Sequence, residues 1–268
     1  MTTNREKAPP GCFRERIQRH DTLIGAFVSA PSAELIEIAA YSEFDFAVID
    51  AEHGPITVGD VVSMVRAAQS ANIPVLVRVP FANKDFVLRS LDAGADGILV
   101  PQVEDAASAI AAVKEMMYPP LGVRGGAYYA RVHRFTKDSG WDALELANRK
   151  VVTGVMIESV KGVANAAEIS QVQGVDFVLF GSTDLSINIG KGPHNMLELE
   201  NSISSVLEKT LKIGMPAGIS AMNSDVAQNF TTRGFKIVVT GLLPLLLKEA
   251  SRFNKEVRSV GMQNNRSI

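Results

Sequence analysis

The chain is short of cysteine, of net charge and of long apolar runs, and each shortage excludes something. A single cysteine, Cys12, among 268 residues rules out an internal disulfide framework and a cysteine metal cluster. It falls outside every expected strand, which argues against a catalytic thiol. A net charge of -2 leaves no electrostatic footprint for nucleic acid or an anionic membrane. No apolar run approaches the length of a membrane span. Residues 1–10 are polar and lack the apolar core of a signal peptide. The four histidines include no His-x-His pair or other multi-histidine zinc pattern. Schiff-base chemistry needs a lysine at the C-terminal end of a strand. Lys84, Lys114, Lys161 and Lys191 fall in helices or loops instead, and Lys236 opens its strand. What remains is a globular protein, expected in the cytoplasm without nucleic-acid or membrane partners. No lysine suits a covalent mechanism, so a metal-dependent route fits better.

What is present is repetition. Short apolar runs at residues 23–28, 46–49, 75–79, 97–100, 151–157, 176–180, 216–218 and 236–239 read as buried strands. Helical patterns separate them, and several end in Asn72, Gly94, Gly174, Gly214 or Gly234, residues that tolerate the left-handed conformation of a helix C-terminus. Strands alternating with helices imply parallel βαβ units. Eight units in about 250 residues match a (β/α)8 TIM barrel, read as a single domain over residues 1–268. A doubly wound open sheet is the alternative, weakened by the lack of a Gly-rich phosphate loop after the first strand. Residues 1–20 form a tail with a short helix, and residues 242–260 a final helix. The long connection at 118–150, with Tyr128, Tyr129, Arg131 and Trp141, reads as an ordered active-site loop.

In a parallel barrel the C-terminal ends of the strands converge on one face. Asp50 and His53 follow the second strand, Arg78 ends the third, Glu158 ends the fifth and Asp184 follows the sixth. Glu158 and Asp184, on neighbouring strands without local lysine or arginine, repel one another unless a cation or shared proton lies between them. A hard divalent cation answers this and keeps coordination positions open for substrate. Individually the two have simpler readings, an ion pair for Glu158 and a helix cap for Asp184. His53 beside Asp50 reads as an oriented base. Arg78 interrupts an apolar strand and needs an anionic partner, either substrate or Glu52 or Asp50. Ser182 and Thr183 open a turn able to present backbone N–H groups to a carboxylate. The remaining histidines, His20, His133 and His194, read as surface residues.

Several segments together resemble the HpcH/HpaI aldolases, the metal-dependent class II pyruvate aldolases. They are Gly25-Ala26-Phe27, the run from Phe44 to Pro55, Val77-Arg78-Val79-Pro80, the run from Leu91 to Ile98, Tyr118 to Gly125, Ile157-Glu158, and Gly181 with Asp184-Leu185-Ser186. The resemblance implies a TIM barrel and a homo-oligomer, usually a hexamer made of three dimers that exchange the last helix. It also implies a small-molecule oxo-acid substrate. Glu158 and Asp184 would ligate Mg2+, Mn2+ or Co2+, and Arg78 would polarise the keto oxygen of pyruvate. His53, oriented by Asp50, would move the proton of the aldol hydroxyl, and Gln102 would support the site. The chain departs from the family pattern at Met156, where glutamine is frequent, and at Ser182-Thr183, where Pro-Ala is frequent. The implied reaction is reversible cleavage of a 4-hydroxy-2-oxo acid to pyruvate and an aldehyde. A related enolate lyase or decarboxylase, an acyl-CoA lyase and a non-catalytic ligand-binding barrel are the alternatives.

Overall fold

The structure, a computed structural model, describes residues 11–81, 83–190 and 195–264. Eight parallel strands close into a barrel in sequence order: β1 (Leu23–Val28), β2 (Phe46–Asp50), β3 (Val75–Arg78), β4 (Gly97–Val100), β5 (Val152–Ile157), β6 (Phe177–Phe180), β7 (Ala217–Ser220) and β8 (Ile237–Gly241). The expected strands are all present, within about two residues at their ends. The helices are α1 (Phe13–Gln18), α2 (Ala33–Tyr41), α3 (Val58–Ser70), α4 (Lys84–Ala93), α5 (Ala106–Met116), α6 (Trp141–Lys150), α7 (Val160–Ala164), α8 (Ala166–Ser170), α9 (Ser182–Ile189), α10 (Asn195–Ile213), α11 (Ser224–Arg233) and α12 (Leu242–Asn264). No helix among the described residues is long and apolar enough to cross a membrane. Asn72, Gly94, Gly174, Gly214 and Gly234 all have positive φ, the left-handed geometry their residue types admit.

Strand alternation divides the apolar residues into two cores. One lies between barrel and helices and includes Ala47, Ile49, Val75, Val77, Val155 and Ile157. The other fills the barrel and includes Phe46, Val48, Leu76, Leu99, Val152, Met156, Phe177 and Leu179. Large and small residues alternate around the interior, because eight strands leave room for only a few large side chains in each layer. Gly25 faces the ring of Phe46 and Gly154 faces that of Phe177; a β-carbon at either glycine would lie 2.3 Å from a ring atom.

Helix α1 plugs the N-terminal end of the barrel. Its Phe13 ring packs 5.2 Å from Phe46 between centroids, and Ile17 is buried beside it. The plug is tied by Arg14 to Asp176 at 2.7 Å and by Arg16 to Asp45. These aspartates belong to a repeated device. Asp45, Asp96 and Asp176 each immediately precede an even-numbered strand, and each accepts the first N–H of the pairing from the strand before it, from Ile24, Val75 and Thr153 at 2.8, 2.8 and 2.9 Å. Lys236 holds the corresponding place before β8.

The connection at 118–150 differs from expectation. It follows α5 and leads into β5, so it lies at the N-terminal end of the barrel, away from the strand ends that carry Arg78 and Glu158. Its last ten residues are helix α6. Arg131 donates to the carbonyl of Ala93 and to Gln69, and Arg124 pairs with Asp92 at 2.9 Å. His133, expected at the surface, is 2% exposed and lies 3.0 Å from the Tyr118 hydroxyl. Burial, then the nearby Arg124, lowers its pKa. His20 is exposed as expected, and His194 lies outside the described residues.

Gly154→Val places two methyl groups into the ring of Phe177. Overpacking of this kind costs about 1–3 kcal/mol, and chemical denaturation should show a loss of that size.

Candidate active site

The inward positions of β2, β3 and β5 are apolar at their first turns of the pleat and ionisable at their last. On β2 Phe46 and Val48 are followed by Asp50, on β3 Leu76 is followed by Arg78, and beyond β5 Met156 is followed by Glu158. The register of β2 against β3 sets Asp50 directly beside Arg78. Their side chains form a two-pronged pair, Arg78 Nε to Asp50 Oδ1 at 2.8 Å and Nη2 to Oδ2 at 2.6 Å. Phe27 lies under the guanidinium, 4.8 Å from ring centroid to Cζ, and Met156 Sδ is 4.0 Å from Nη1. Arg78 is 8% exposed. Burial works against its charge, but Asp50, Glu52 and Glu158 outweigh it and raise its pKa.

This pair corrects one sequence expectation. Asp50 does not orient the His53 imidazole. Its carboxylate is taken by Arg78, and it meets His53 only through the backbone, accepting N–H groups of Glu52 and His53 at 3.3 and 3.2 Å. The carboxylate that approaches the imidazole is that of Glu52, whose Oε2 lies 4.0 Å from Nε2. The His53 side chain is 59% exposed and stands at the rim. Glu52 also approaches Arg78 Nε at 3.5 Å and accepts from Gln102 Nε2 at 3.2 Å.

Glu158 is 7% exposed. Its Oε1 accepts the backbone N–H of Gln102 at 2.6 Å. That donor is aimed by an unusual backbone, because Gln102 has φ 54°, a left-handed conformation costing a non-glycine residue about 1 kcal/mol. The second oxygen, Oε2, is buried with no hydrogen-bond partner among the described residues. Gly181 gives the carboxylate its room, since a β-carbon there would lie 2.7 Å from Oε2. Burial pushes the Glu158 pKa up to about 7; Glu52 and Asp184 push the same way, while the Gln102 N–H and Arg78 oppose them.

A cleft of about 400 Å³ opens above these groups, lined by Glu52, His53, Gln102, Glu158 and Asp184 together with Phe81, Glu104, Ser159, Ile187 and Asn188. Asp50 and Arg78 lie buried beneath it. Asp184 sits in the first turn of α9, which is preceded by Gly181, a residue with no side chain to cap it. Ser182 and Thr183 are outside the lining; Ser182 Oγ lies 3.3 Å from Ser220 Oγ, and Thr183 is exposed. Five lining residues, Phe81, Glu104, Ser159, Ile187 and Asn188, were not among the sequence candidates. The available signal was position alone, since each lies within about ten residues of a strand's C-terminal end.

The donor set fits a hard divalent ion. An orphaned, buried carboxylate oxygen that shares its cleft with a second carboxylate, Asp184, is what such an ion satisfies. No three His, Cys, Asp or Glu side chains gather into a metal cage among the described residues, so two protein ligands would leave most positions open.

The model of the HpcH/HpaI aldolase/citrate lyase family matches residues 23–245. The chain belongs to that family. A hydroxypyruvate/pyruvate aldolase from Delftia acidovorans is 32% identical over 248 residues, covering 92% of this chain and 91% of the relative. A 2-keto-3-deoxy-L-rhamnonate aldolase from Salmonella typhi is 35% identical over 242 residues, 89% of each chain. The crystal structure of a family member from Burkholderia cenocepacia superposes with a TM-score of 0.86 at 31% identity, covering 91% of this chain and 98% of that one. The family relationship thus runs through the whole barrel and includes every strand end that lines the cleft.

The pKa of Glu158 makes stability depend on pH in a defined direction. In the metal-free protein its folded value of about 7 lies above the ordinary 4.5. Between those values the folded state binds more protons than the unfolded, so stability present at low pH is lost as pH rises through 7, by roughly 3 kcal/mol. Urea denaturation of the metal-free protein at pH 5 and pH 8 should show the fall, and Glu158→Gln should reduce it, leaving the part owed to Asp96, which burial raises to about 6.

Proposed function

We propose that this protein is a divalent-metal-dependent carbon–carbon lyase that cleaves a 4-hydroxy-2-oxo acid reversibly to pyruvate and an aldehyde. The observation that carries the reading is the unpartnered Glu158 Oε2 beside Asp184, above a clamped Arg78, in a chain of an aldolase family. The names of the two aldolase relatives support it.

Glu158 and Asp184 would hold Mg2+, Mn2+ or Co2+, which when bound supplies Lewis-acid polarisation of the 2-oxo acid. The chain's own groups do the rest. The opening N–H groups of α9, at Ser182, Thr183 and Asp184, donate to the substrate carboxylate at the positive end of the helix. Arg78 faces the keto oxygen and stabilises the negative charge it gains. His53 Nε2 takes the proton of the C4 hydroxyl. As it does so, the C3–C4 bond breaks, the C4–O bond becomes the aldehyde carbonyl, and the electron pair passes to C3 as a pyruvate enolate. Return of the proton to C3 yields pyruvate. Asp50 acts on Arg78, holding its guanidinium in one plane and one direction. Glu52 links Arg78, Gln102 and His53, and Gln102 holds Glu158.

The protein works in the cytoplasm as a homo-oligomer, a hexamer of three dimers in this reading. Helix α12 exposes Leu246, Leu247, Phe253 and Val257, which supports its packing on a partner subunit.

The test is pyruvate release from a panel of 4-hydroxy-2-oxo acids with each metal supplied. Turnover is expected. No turnover in either direction, and no decarboxylation of oxaloacetate, would end the aldolase reading. Glu158→Gln should lower kcat/KM by at least about 100-fold and weaken Mn2+ binding while the fold is retained. Asp50→Asn should lower kcat by about 100-fold, the scale of a misplaced reacting group; an unchanged kcat would remove Asp50 from the positioning of Arg78.

A further inference from the structure

The outer half of the cleft is built from residues that the reaction above does not use. Glu104 is the most firmly held of them. Its Oε1 accepts from Ser159 Oγ at 2.8 Å and its Oε2 from Lys161 Nζ at 3.2 Å. Lys161 also reaches Asp105 at 3.3 Å, so its ammonium is shared between two carboxylates, and it stands outside the cleft lining. The lining itself carries four carboxylates, Glu52, Glu104, Glu158 and Asp184, against one titratable nitrogen, that of His53. No lysine or arginine is among the described lining residues. A divalent ion and Arg78 answer the charge of the inner carboxylates and of pyruvate, but no described lining residue of the outer wall carries a positive charge to answer a second anionic group.

Asn188 adds a directional group. Its Oδ1 accepts the Val160 N–H at 3.1 Å. A backbone donor fixes the oxygen at that end of the amide, so the NH2 is the end left to serve as a donor. Phe81 and Ile187, both largely exposed, add apolar surface to the lining.

We propose that the aldehyde half of the substrate is uncharged and hydroxylated, with Asn188 donating to its hydroxyl and Glu104 accepting from it, and that Glu104 excludes aldehydes ending in a carboxylate or phosphate. An anionic tail entering this wall gives up water and meets a carboxylate whose one cation among the described residues, Lys161, is already shared with Asp105. A hydroxyl offers one donor and two acceptor positions, which suits a carboxylate and an amide N–H together. This specificity rests on the aldolase reading of the same cleft.

Calorimetric titration of the Mn2+-loaded full chain at pH 8 with 2-oxopentanoate, 5-hydroxy-2-oxopentanoate and 2-oxoglutarate tests it, because the three ligands differ only at C5. The hydroxylated acid should bind tightest, and 2-oxoglutarate at least about tenfold more weakly than 2-oxopentanoate. Glu104→Gln should shrink the ratio between those two by about the same factor. Exchange of the pyruvate methyl protons with D2O reports enolate formation separately from the aldehyde. If exchange occurs but 2-oxoglutarate binds as tightly as 2-oxopentanoate, the specificity is overturned and the aldolase reading stands. If no exchange occurs with any of the three metals, the aldolase reading falls, and this specificity with it.

Discussion

Closure of eight parallel strands confines every inward-facing side chain to one narrow column. Side chains alternate across each strand, so every second residue enters that column whatever its chemistry. Over the lower layers the constraint is met by apolar residues of unequal size, with Gly25 receiving Phe46 and Gly154 receiving Phe177. At the last layer the same alternation delivers Asp50, Arg78 and Glu158. No loop has to carry these groups. They are extensions of the core pattern, held by the ladder that closes the barrel, and their positions are as rigid as the strands themselves.

Electrostatics then decides what each group is free to do. Arg78 enters a space that contains Asp50, Glu52 and Glu158. It is matched first by Asp50, because the β2–β3 register places the two side by side and a planar fork fits a carboxylate with two bonds. With Arg78 committed, Glu158 retains, among the described residues, the Gln102 N–H on one oxygen and no hydrogen bond on the other. A buried carboxylate in that condition either holds a proton near neutrality or takes a cation. The same commitment removes Asp50 from His53, and Glu52 becomes the carboxylate that neighbours the imidazole.

The two ends of the barrel carry different kinds of polar residue. At the N-terminal end Asp45, Asp96 and Asp176 serve the backbone, each closing a strand pairing, and two of them anchor α1 through Arg16 and Arg14. The long segment with Tyr128, Tyr129 and Arg131 belongs to this end as well, packed against α4. Its aromatic and arginine content had pointed to a substrate loop. The intervening helix α5 decides otherwise, because one helix after β4 returns the chain to the N-terminal end before the segment begins. That much was legible in the sequence, in the order strand, helix, long connection, strand.

The sequence by itself determined the eight-unit rhythm, the strand positions, the left-handed residues that end the helices and the ionisable residues that end β2, β3 and β5. These are local properties, carried by periodicity and by the conformational range of glycine and asparagine, and they need no knowledge of what lies across the barrel. Only the tertiary structure decided who pairs with whom. Asp50 is three residues from His53 and twenty-eight from Arg78, yet closure and register put its carboxylate on the arginine. The burial of His133, the orphaned oxygen of Glu158, the room made by Gly181 and the outer wall of Glu104 and Asn188 arise likewise from segments far apart in the chain. Partner choice depends on distance and desolvation in three dimensions, and spacing along the sequence encodes neither.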